Sequence, residues 1–153
     1  MPDATGYRGL PLAVEVALAL LVPALAPASD ASLKTTLAGW SQRISADARG
    51  VGLSARNRHP LRMTTRARHF RLDALRARRA LAAQRPSSAR GRRAKTLALA
   101  AFRAYAFVGR EWVLSGRARL HRNTSAAVRH ARLARRSAQK ANGLLVDAGK
   151  LLR

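Results

Sequence analysis

The chain has 153 residues, and its 30 Lys and Arg against seven Asp and Glu give a formal net charge of +23. Because it contains no cysteine, the sequence excludes disulfides, thiolate zinc sites and cysteine nucleophiles. So dense a positive charge is unfavourable unless a polyanion neutralises it, and it is typical of a protein that binds nucleic acid. Arg outnumbers Lys by 26 to 4, and guanidinium groups match phosphate geometry and stack on bases, which suits RNA.

The sequence shows no pattern typical of catalysis or of metal binding. It has no Ser/His/Asp arrangement, no paired carboxylates, no phosphate-binding loop and no metal-ligand spacing. We therefore expect no enzyme, no cofactor, no metal and no small-molecule substrate. Membrane-surface helices pair a basic face with an apolar face rich in Trp, Phe and Leu, whereas alanine backs the basic residues here. Nucleic acid is accordingly favoured over membrane contact.

The N-terminal third differs from the rest of the chain. Residues 9–27 form its only strongly apolar stretch, for which we expect a helix that buries its apolar side against a neighbour. The alternatives are a targeting remnant and membrane contact. Residues 27–42 are predicted to form a linker and one or two helical turns, with Trp40 packed inside. Residues 43–61 are predicted to be a basic connector that runs extended over RNA. We therefore expect an extension over residues 1–50 and a basic domain over residues 51–153.

Three helices are predicted in the basic domain. The first covers residues 61–84 with an apolar stripe made by Met63, Ala67, Phe70, Ala74, Ala77 and Leu81. A basic turn at residues 90–93 precedes the second, over residues 94–114, whose inner face holds Leu97, Ala101, Ala104, Tyr105, Val108 and Trp112, with Phe102 at its edge. The third begins after an N-cap at Thr124 or Ser125 and is interrupted at Gly143. The predicted fold is all-α, a three-helix bundle with a helical or extended N-terminal extension.

The third predicted helix contains the main basic run of the chain. Arg129, Arg132, Arg135 and Arg136 recur at spacings of three and four, which places them on one side of the helix. The other side carries small residues, which allow another helix or an RNA backbone to come close: Ala127, Ala131, Ala134 and Ala138.

The same region resembles a known family. The bacterial-type small-subunit ribosomal protein twenty carries a pattern like I-H-K-N-T-A-A-R-R-K-S-R-L-A-K-R in its last helix. Residues 120–136, LHRNTSAAVRHARLARR, are similar if Ser125 is one extra residue. The family's R-N-R followed by F-R-E-A-L is similar to Arg56-Asn57-Arg58 followed by residues 70–75, FRLDAL. The resemblance covers residues 56–145. The longer span between Phe70 and His121, and residues 1–50 without counterpart, suit an organellar ribosome.

The resemblance implies a structural protein that binds small-subunit rRNA through Arg-rich helix faces beside neighbouring ribosomal proteins, in a mitochondrial or alternatively a chloroplast ribosome. At the turn, His121 and Asn123 would hydrogen-bond a sugar or a base edge, and the alternative for His121 is a capping or packing role. The expected RNA-binding residues are Arg56, Arg58, Arg66, Arg68, His121, Arg122, Asn123, Arg129, Arg132, Arg135 and Arg136.

Other functions remain open. Residues 65–69, TRARH, and 105–107, YAF, are similar to T-A-R-A-R-H and Y-A-Y of large-subunit ribosomal protein twenty. An accessory subunit of an organellar membrane complex would use residues 9–27 as an anchor, and a nucleoid protein would use the same charge on DNA.

Overall fold

The computed structural model describes residues 29–153, which form four antiparallel α-helices joined by short loops. The helices are α1 (Asp30–Arg56), α2 (Pro60–Ala83), α3 (Ala89–Leu120) and α4 (Thr124–Leu151). No strand occurs in this part of the chain, so the predicted all-α class is confirmed. α1 packs on α2, α2 on α3 and α3 on α4, whereas direct contact between α1 and α4 is slight. The bundle therefore has one open side.

α1 makes the helix count four, where three helices were expected. It replaces the predicted linker and extended connector, and the expected boundary between residues 50 and 51 lies inside it. Ser29 caps its first turn by accepting a hydrogen bond from the N–H of Ala31 at 3.1 Å. Its buried residues face α2 and α3 and provide the packing that holds a glycine-containing sequence helical: Leu33, Leu37, Ile44, Gly50, Val51 and Ser54.

The ends of α3 and α4 also differ from the prediction. Ser88 accepts a hydrogen bond from the N–H of Gly91 at 2.8 Å, so residues 90–93 lie in the first turn of α3 and do not form a turn of their own. The N-cap of α4 is Asn123, whose Oδ1 accepts from the N–H of Ala126 at 3.0 Å. α4 continues without interruption through Gly143, since packing on α3 maintains it on both sides of that residue.

The core contains the apolar stripe predicted for α2. All six residues of that stripe are buried, and Phe70 lies at their centre. The Phe70 ring packs edge-on against Tyr105 and Trp112 of α3, with centroids 5.9 and 5.0 Å away. Phe102, expected at the edge of the inner face of the second helix, is fully buried. Trp40 is partly buried against this core, as expected.

α3 and α4 approach each other across alanine. Ala127, Ala134, Ala141 and Ala148 recur every seven residues and are at most 2% exposed. A seven-residue repeat keeps one face of a helix turned toward its neighbour along its whole length. The alanine side expected to admit a helix or an RNA backbone therefore admits α3.

Asp30 connects the start of α1 to the connection between α2 and α3. Its carboxylate accepts hydrogen bonds from the N–H groups of Ser87, at 2.9 Å, and Ser88, at 3.3 Å, and from the Ser88 hydroxyl. The side chain of Lys95 donates to the carbonyl oxygens of Ala82 and Gln84 at the same end of the bundle. These contacts close the end of the bundle at which α1 begins.

Candidate nucleic-acid interface

The loop between α1 and α2 places an arginine in an unusual backbone conformation. Arg58 has a φ of 54°, in the left-handed region that side chains with a Cβ adopt at a cost of about 1–2 kcal/mol. The N–H groups of Arg58 and His59 donate to the carbonyl oxygens of Ala55, at 3.3 Å, and Ser54, at 3.0 Å. This pair of bonds defines a Schellman motif, in which the left-handed residue is usually glycine.

The loop between α3 and α4 repeats the same geometry. Arg122 has a φ of 55°. Its N–H donates to the carbonyl oxygen of Arg119 at 3.1 Å, and the N–H of Asn123 donates to that of Ala118 at 2.8 Å. This is a second Schellman motif with arginine in place of glycine. Arg58 and Arg122 are the only non-glycine residues with a positive φ in residues 29–153.

Both loops lie at the same end of the bundle. The start of α2 contacts the end of α3 so closely that a Cβ on Gly116 would clash with the Thr64 hydroxyl and approach the Pro60 carbonyl oxygen to 3.3 Å. A cavity of about 270 Å³ opens beside this contact, and Arg58, His59 and Arg119 are among its lining residues. The α1–α2 loop thus lies next to the last turn of α3. We call the end that holds the two loops the loop end.

Acidic side chains are absent from the sequence around the loop end. Neither residues 48–72 nor residues 112–146 contain Asp or Glu. Eight basic side chains at this end are exposed: Arg56, Arg58, His59, Arg62, Arg117, Arg119, His121 and Arg122. At short range in water, like charges this dense repel one another, and an anion that binds several of them at once removes that repulsion.

The structure brings some of the expected RNA-binding residues together and separates others. Arg56, Arg58, His121 and Arg122 are exposed at the loop end. Asn123 is beside them, but its Oδ1 is occupied in capping α4, which leaves the side-chain amide N–H group available to a ligand. His121 is the C-cap residue of α3, and its ring is exposed.

Arg66 and Arg68 lie on different sides of α2. The guanidinium of Arg66 covers Gly50 of α1, and Arg66 lines a depression with Asp47 and His69. Burial, and then the charge of Asp73, raises the pKa of Asp47, whereas nearby cations lower it. Arg68 lies in the groove between α2 and α3. These two arginines therefore do not act on one ligand group.

The four expected arginines of α4 are all exposed, opposite the buried alanines. They form a row that leads away from the loop end, since Arg136 lies about 18 Å along the helix from its first residue. The predicted amphipathic arrangement of α4 is confirmed. The row extends the basic surface of the loop end and is separate from the two loops themselves.

Several basic residues of this surface were missed by the sequence prediction. Arg117 and Arg119 belong to the last turns of α3, beyond the predicted end of that helix at residue 114. Arg110 and Arg117 line the groove between α2 and α3 with Arg68 and Arg71. The spacing of seven between Arg103, Arg110 and Arg117 indicates a common helix face, and it would have identified them.

The one buried carboxylate of the described helices neutralises little of this charge. Glu111 is 2% exposed, and the Nδ1 atom of His130 lies 2.7 Å from its Oε2 atom, so the ring donates to the carboxylate across α3 and α4. The Nε atom of Arg110 lies 3.6 Å from Oε1. Asp73 and Asp147 pair with Arg76 and Lys150 of their own helices.

Within residues 29–153, no group of three or more His, Cys, Asp or Glu is placed to hold a metal ion. None of these four helices has an apolar stretch long enough to cross a membrane. Comparison with known proteins gives no match to a family model, to a curated protein or to a solved structure.

Proposed function

We propose that this chain is an RNA-binding protein that contacts the phosphate backbone of a folded RNA with its loop end. The observation that carries the proposal is the pair of Schellman motifs. Two helices of one bundle end in the same motif, and both place arginine where glycine costs less. Non-glycine residues in strained backbone conformations concentrate at functional sites.

The surroundings of the two arginines favour a polyanion as the ligand. The loop end presents eight basic side chains with no acidic residue near them in sequence, and it continues into the arginine row of α4. Binding of a phosphate backbone releases condensed counterions, which supplies most of the affinity of such a surface. Arginine contacts of this kind fix the position of RNA helices without reading much sequence.

In its specific form, the proposal is a structural role on the rRNA of a small ribosomal subunit, in a mitochondrial or chloroplast ribosome. The resemblance of residues 120–136 to the small-subunit family supports this form, and its His-Arg-Asn-Thr segment forms the α3–α4 loop and the start of α4. Neighbouring ribosomal proteins would contact the faces that the RNA leaves free.

Measuring how RNA affinity depends on salt tests the contact itself. We would compare the full chain with the double variant R58A/R122A on a 20-base-pair RNA hairpin between 50 and 300 mM KCl. Each lost phosphate contact lowers the slope of log Kd against log salt by roughly 0.7–0.9, so the double variant should lose about 1.5. The matched control is R79A/R93A, two exposed arginines at the opposite end, which should leave the slope unchanged. Equal losses for both variants would contradict a contact at the loop end.

Sedimentation of tagged protein through a sucrose gradient at low magnesium, which separates the ribosomal subunits, tests the specific form. Migration with the small subunit is the expected result. Migration with the large subunit would support the alternative family, and recovery with membranes or DNA would end the ribosomal proposal.

A further inference from the structure

The open side of the bundle forms an apolar groove between α1 and α4. The groove encloses about 470 Å³ at the end opposite the two loops. Leu37 and Ala38 of α1 form one wall, and the α4 wall includes Leu145, Val146 and Leu152. Val146 is 57% exposed, and a Cβ on Gly149 would have no atom within 4 Å. The groove thus offers an apolar surface of the size that a few buried aliphatic side chains occupy.

We propose that residues 10–22 of the same chain occupy this groove and complete the bundle. These residues belong to the only strongly apolar stretch of the sequence, and they include Val14, Leu18, Leu21 and Val22. Residues 1–28 lie outside the described part of the chain, as does the helix expected over residues 9–27. A helix that is apolar on all sides is stable in water only when it is buried.

The connection to α1 leads the segment to this groove. α1 begins at Asp30, and the first groove residue on it, Lys34, follows one turn later. Residues 23–29 reach at most about 25 Å when fully extended, which allows the chain to reverse direction and run along α1. The α1 wall, from Lys34 to Ser41, is about 10 Å long, so a two- to three-turn helix covers it.

Charge also fits this occupant. Lys34 and Arg153 lie at the rim of the groove. Glu15 is the one charged residue among residues 10–22. A second copy of the chain would bring another strongly positive molecule against this rim, which electrostatic repulsion opposes. The segment of the same chain brings a carboxylate instead, and its attachment gives it a millimolar effective concentration.

The absence of cysteine allows a direct test in the full chain. We would compare the variant L18C/V146C with L18C/L72C, since Leu72 is 49% exposed and lines the groove between α2 and α3, away from the groove between α1 and α4. At micromolar protein under mild oxidation, the intramolecular disulfide should form at least about tenfold faster with Cys at 146 than at 72, because docking raises the local thiol concentration above that of a free tether. A second pair of variants, with the first cysteine at position 21 instead of 18, tests the same contact for a segment that is rotated about its axis.

Equal rates at the two positions would overturn the proposal, as would slow reaction at both. Dominant intermolecular disulfides through position 146 would assign the groove to a second copy, and binding of the full chain to phosphatidylcholine vesicles without the cross-link would assign residues 10–22 to a membrane.

A second comparison needs no cysteine. Val146→Lys should lower the Tm by several degrees more than Leu72→Lys, because only Val146 would be covered. Equal shifts would contradict docking.

Discussion

Arg58 and Arg122 occupy the same position in two Schellman motifs, with φ angles of 54° and 55°. Each residue follows the C-cap of a long helix, and the donor and acceptor positions of the two motifs correspond one to one. The bundle is therefore built from two helical hairpins whose loops are conformationally equivalent. Glycine is the most favourable residue at both positions, so arginine costs stability twice.

Replacing these arginines by glycine should separate stability from binding. Arg58→Gly and Arg122→Gly should each raise the free energy of unfolding by about 0.5–1 kcal/mol, because the left-handed conformation is relieved. Each should weaken RNA binding, since the guanidinium group that contacts a phosphate is lost. Urea denaturation and RNA titration of the same preparations would measure both effects.

Arg119→Gly is the control for that pair. Arg119 lies within the last turns of α3, where glycine costs about 1 kcal/mol relative to a good helix former. This variant should therefore be destabilised. A loss of stability on Arg58→Gly or Arg122→Gly would show that the left-handed geometry is not strained.

The Glu111–His130 contact should be a large single contribution to stability. His130→Ala removes the partner of a carboxylate that is 2% exposed, and breaking such a pair costs about 3 kcal/mol. Introducing Glu111→Gln into that variant should restore part of the loss, because a neutral amide is less costly to bury. Urea denaturation at pH 7 would measure both changes. His121→Ala, at an exposed histidine, should cost less than about 0.5 kcal/mol, and a similar loss for the two histidines would contradict the assignment.

Stability should depend on the ionisation of Asp30. Hydrogen bonds from Ser88, opposed in part by desolvation, hold the pKa of Asp30 below its ordinary value of 3.8. A carboxyl whose pKa is lower in the folded state stabilises it above its unfolded pKa, and this contribution is lost as the pH falls through the folded value. The stability difference between the native chain and Asp30→Asn should be constant near neutral pH and shrink below about pH 4.

Thermal unfolding between pH 2.5 and 7 would measure the Asp30 effect. In a Ser88→Ala background, Asp30 loses its main hydrogen-bond donor, so the pH dependence of the difference should flatten. A difference that stays constant to pH 2.5 would contradict the role of ionised Asp30.

Replacing either of two helical glycines by alanine should change the stability of the protein, in opposite directions for the two positions. In Gly109→Ala, the added Cβ would lie 2.7 Å from the Cβ and 2.9 Å from the Cα of Arg71, so α2 and α3 must separate, at a cost of about 1–3 kcal/mol. In Gly143→Ala, the Cβ meets no atom within 4 Å, and the change should stabilise α4 by about 0.5–1 kcal/mol. Chemical denaturation of both variants would measure the two shifts, and changes of the same sign would contradict the packing of α2 on α3.

The sequence predicted those elements whose periodicity is strong. The apolar stripe of α2, from Met63 to Leu81, is confirmed residue by residue. Spacings of three and four place all six residues on one face of a helix, and that face is buried. α1 was not predicted as a long helix, because Gly39, Gly50 and Gly52 lower its intrinsic propensity. Burial of Leu37, Ile44 and Val51 against the other helices compensates, and that packing is tertiary information.

The candidate site could be predicted only as a group of charged residues. The motif R-N-R and the segment H-R-N-T identified residues that lie in the two loops. The sequence does not reveal that Arg58 and Arg122 end their helices in the same way. Glycine is the usual indicator of such a helix end, and it is absent from both positions. The separation of Arg66 from Arg68 follows from their spacing, since residues two apart on a helix do not share a face. Only the contact of Arg66 with Gly50 of α1 is tertiary information.

The seven-residue alanine repeat of α4 has one further consequence, which concerns alignment along the helix axis. If α4 moved along its axis by one repeat, each of these alanines would take the place of the next one. The small side chains therefore do not by themselves fix the position of α4 on α3. Four polar contacts distinguish the native alignment. Ser115 donates to the Ala127 carbonyl oxygen at 2.9 Å, and Ser137 donates to the Ala104 carbonyl oxygen at 3.5 Å. His130 donates to Glu111, and Tyr105 donates to the Asn142 side-chain oxygen. The polar groups between these helices, together with the short α3–α4 loop, thus fix the alignment that the alanines leave open.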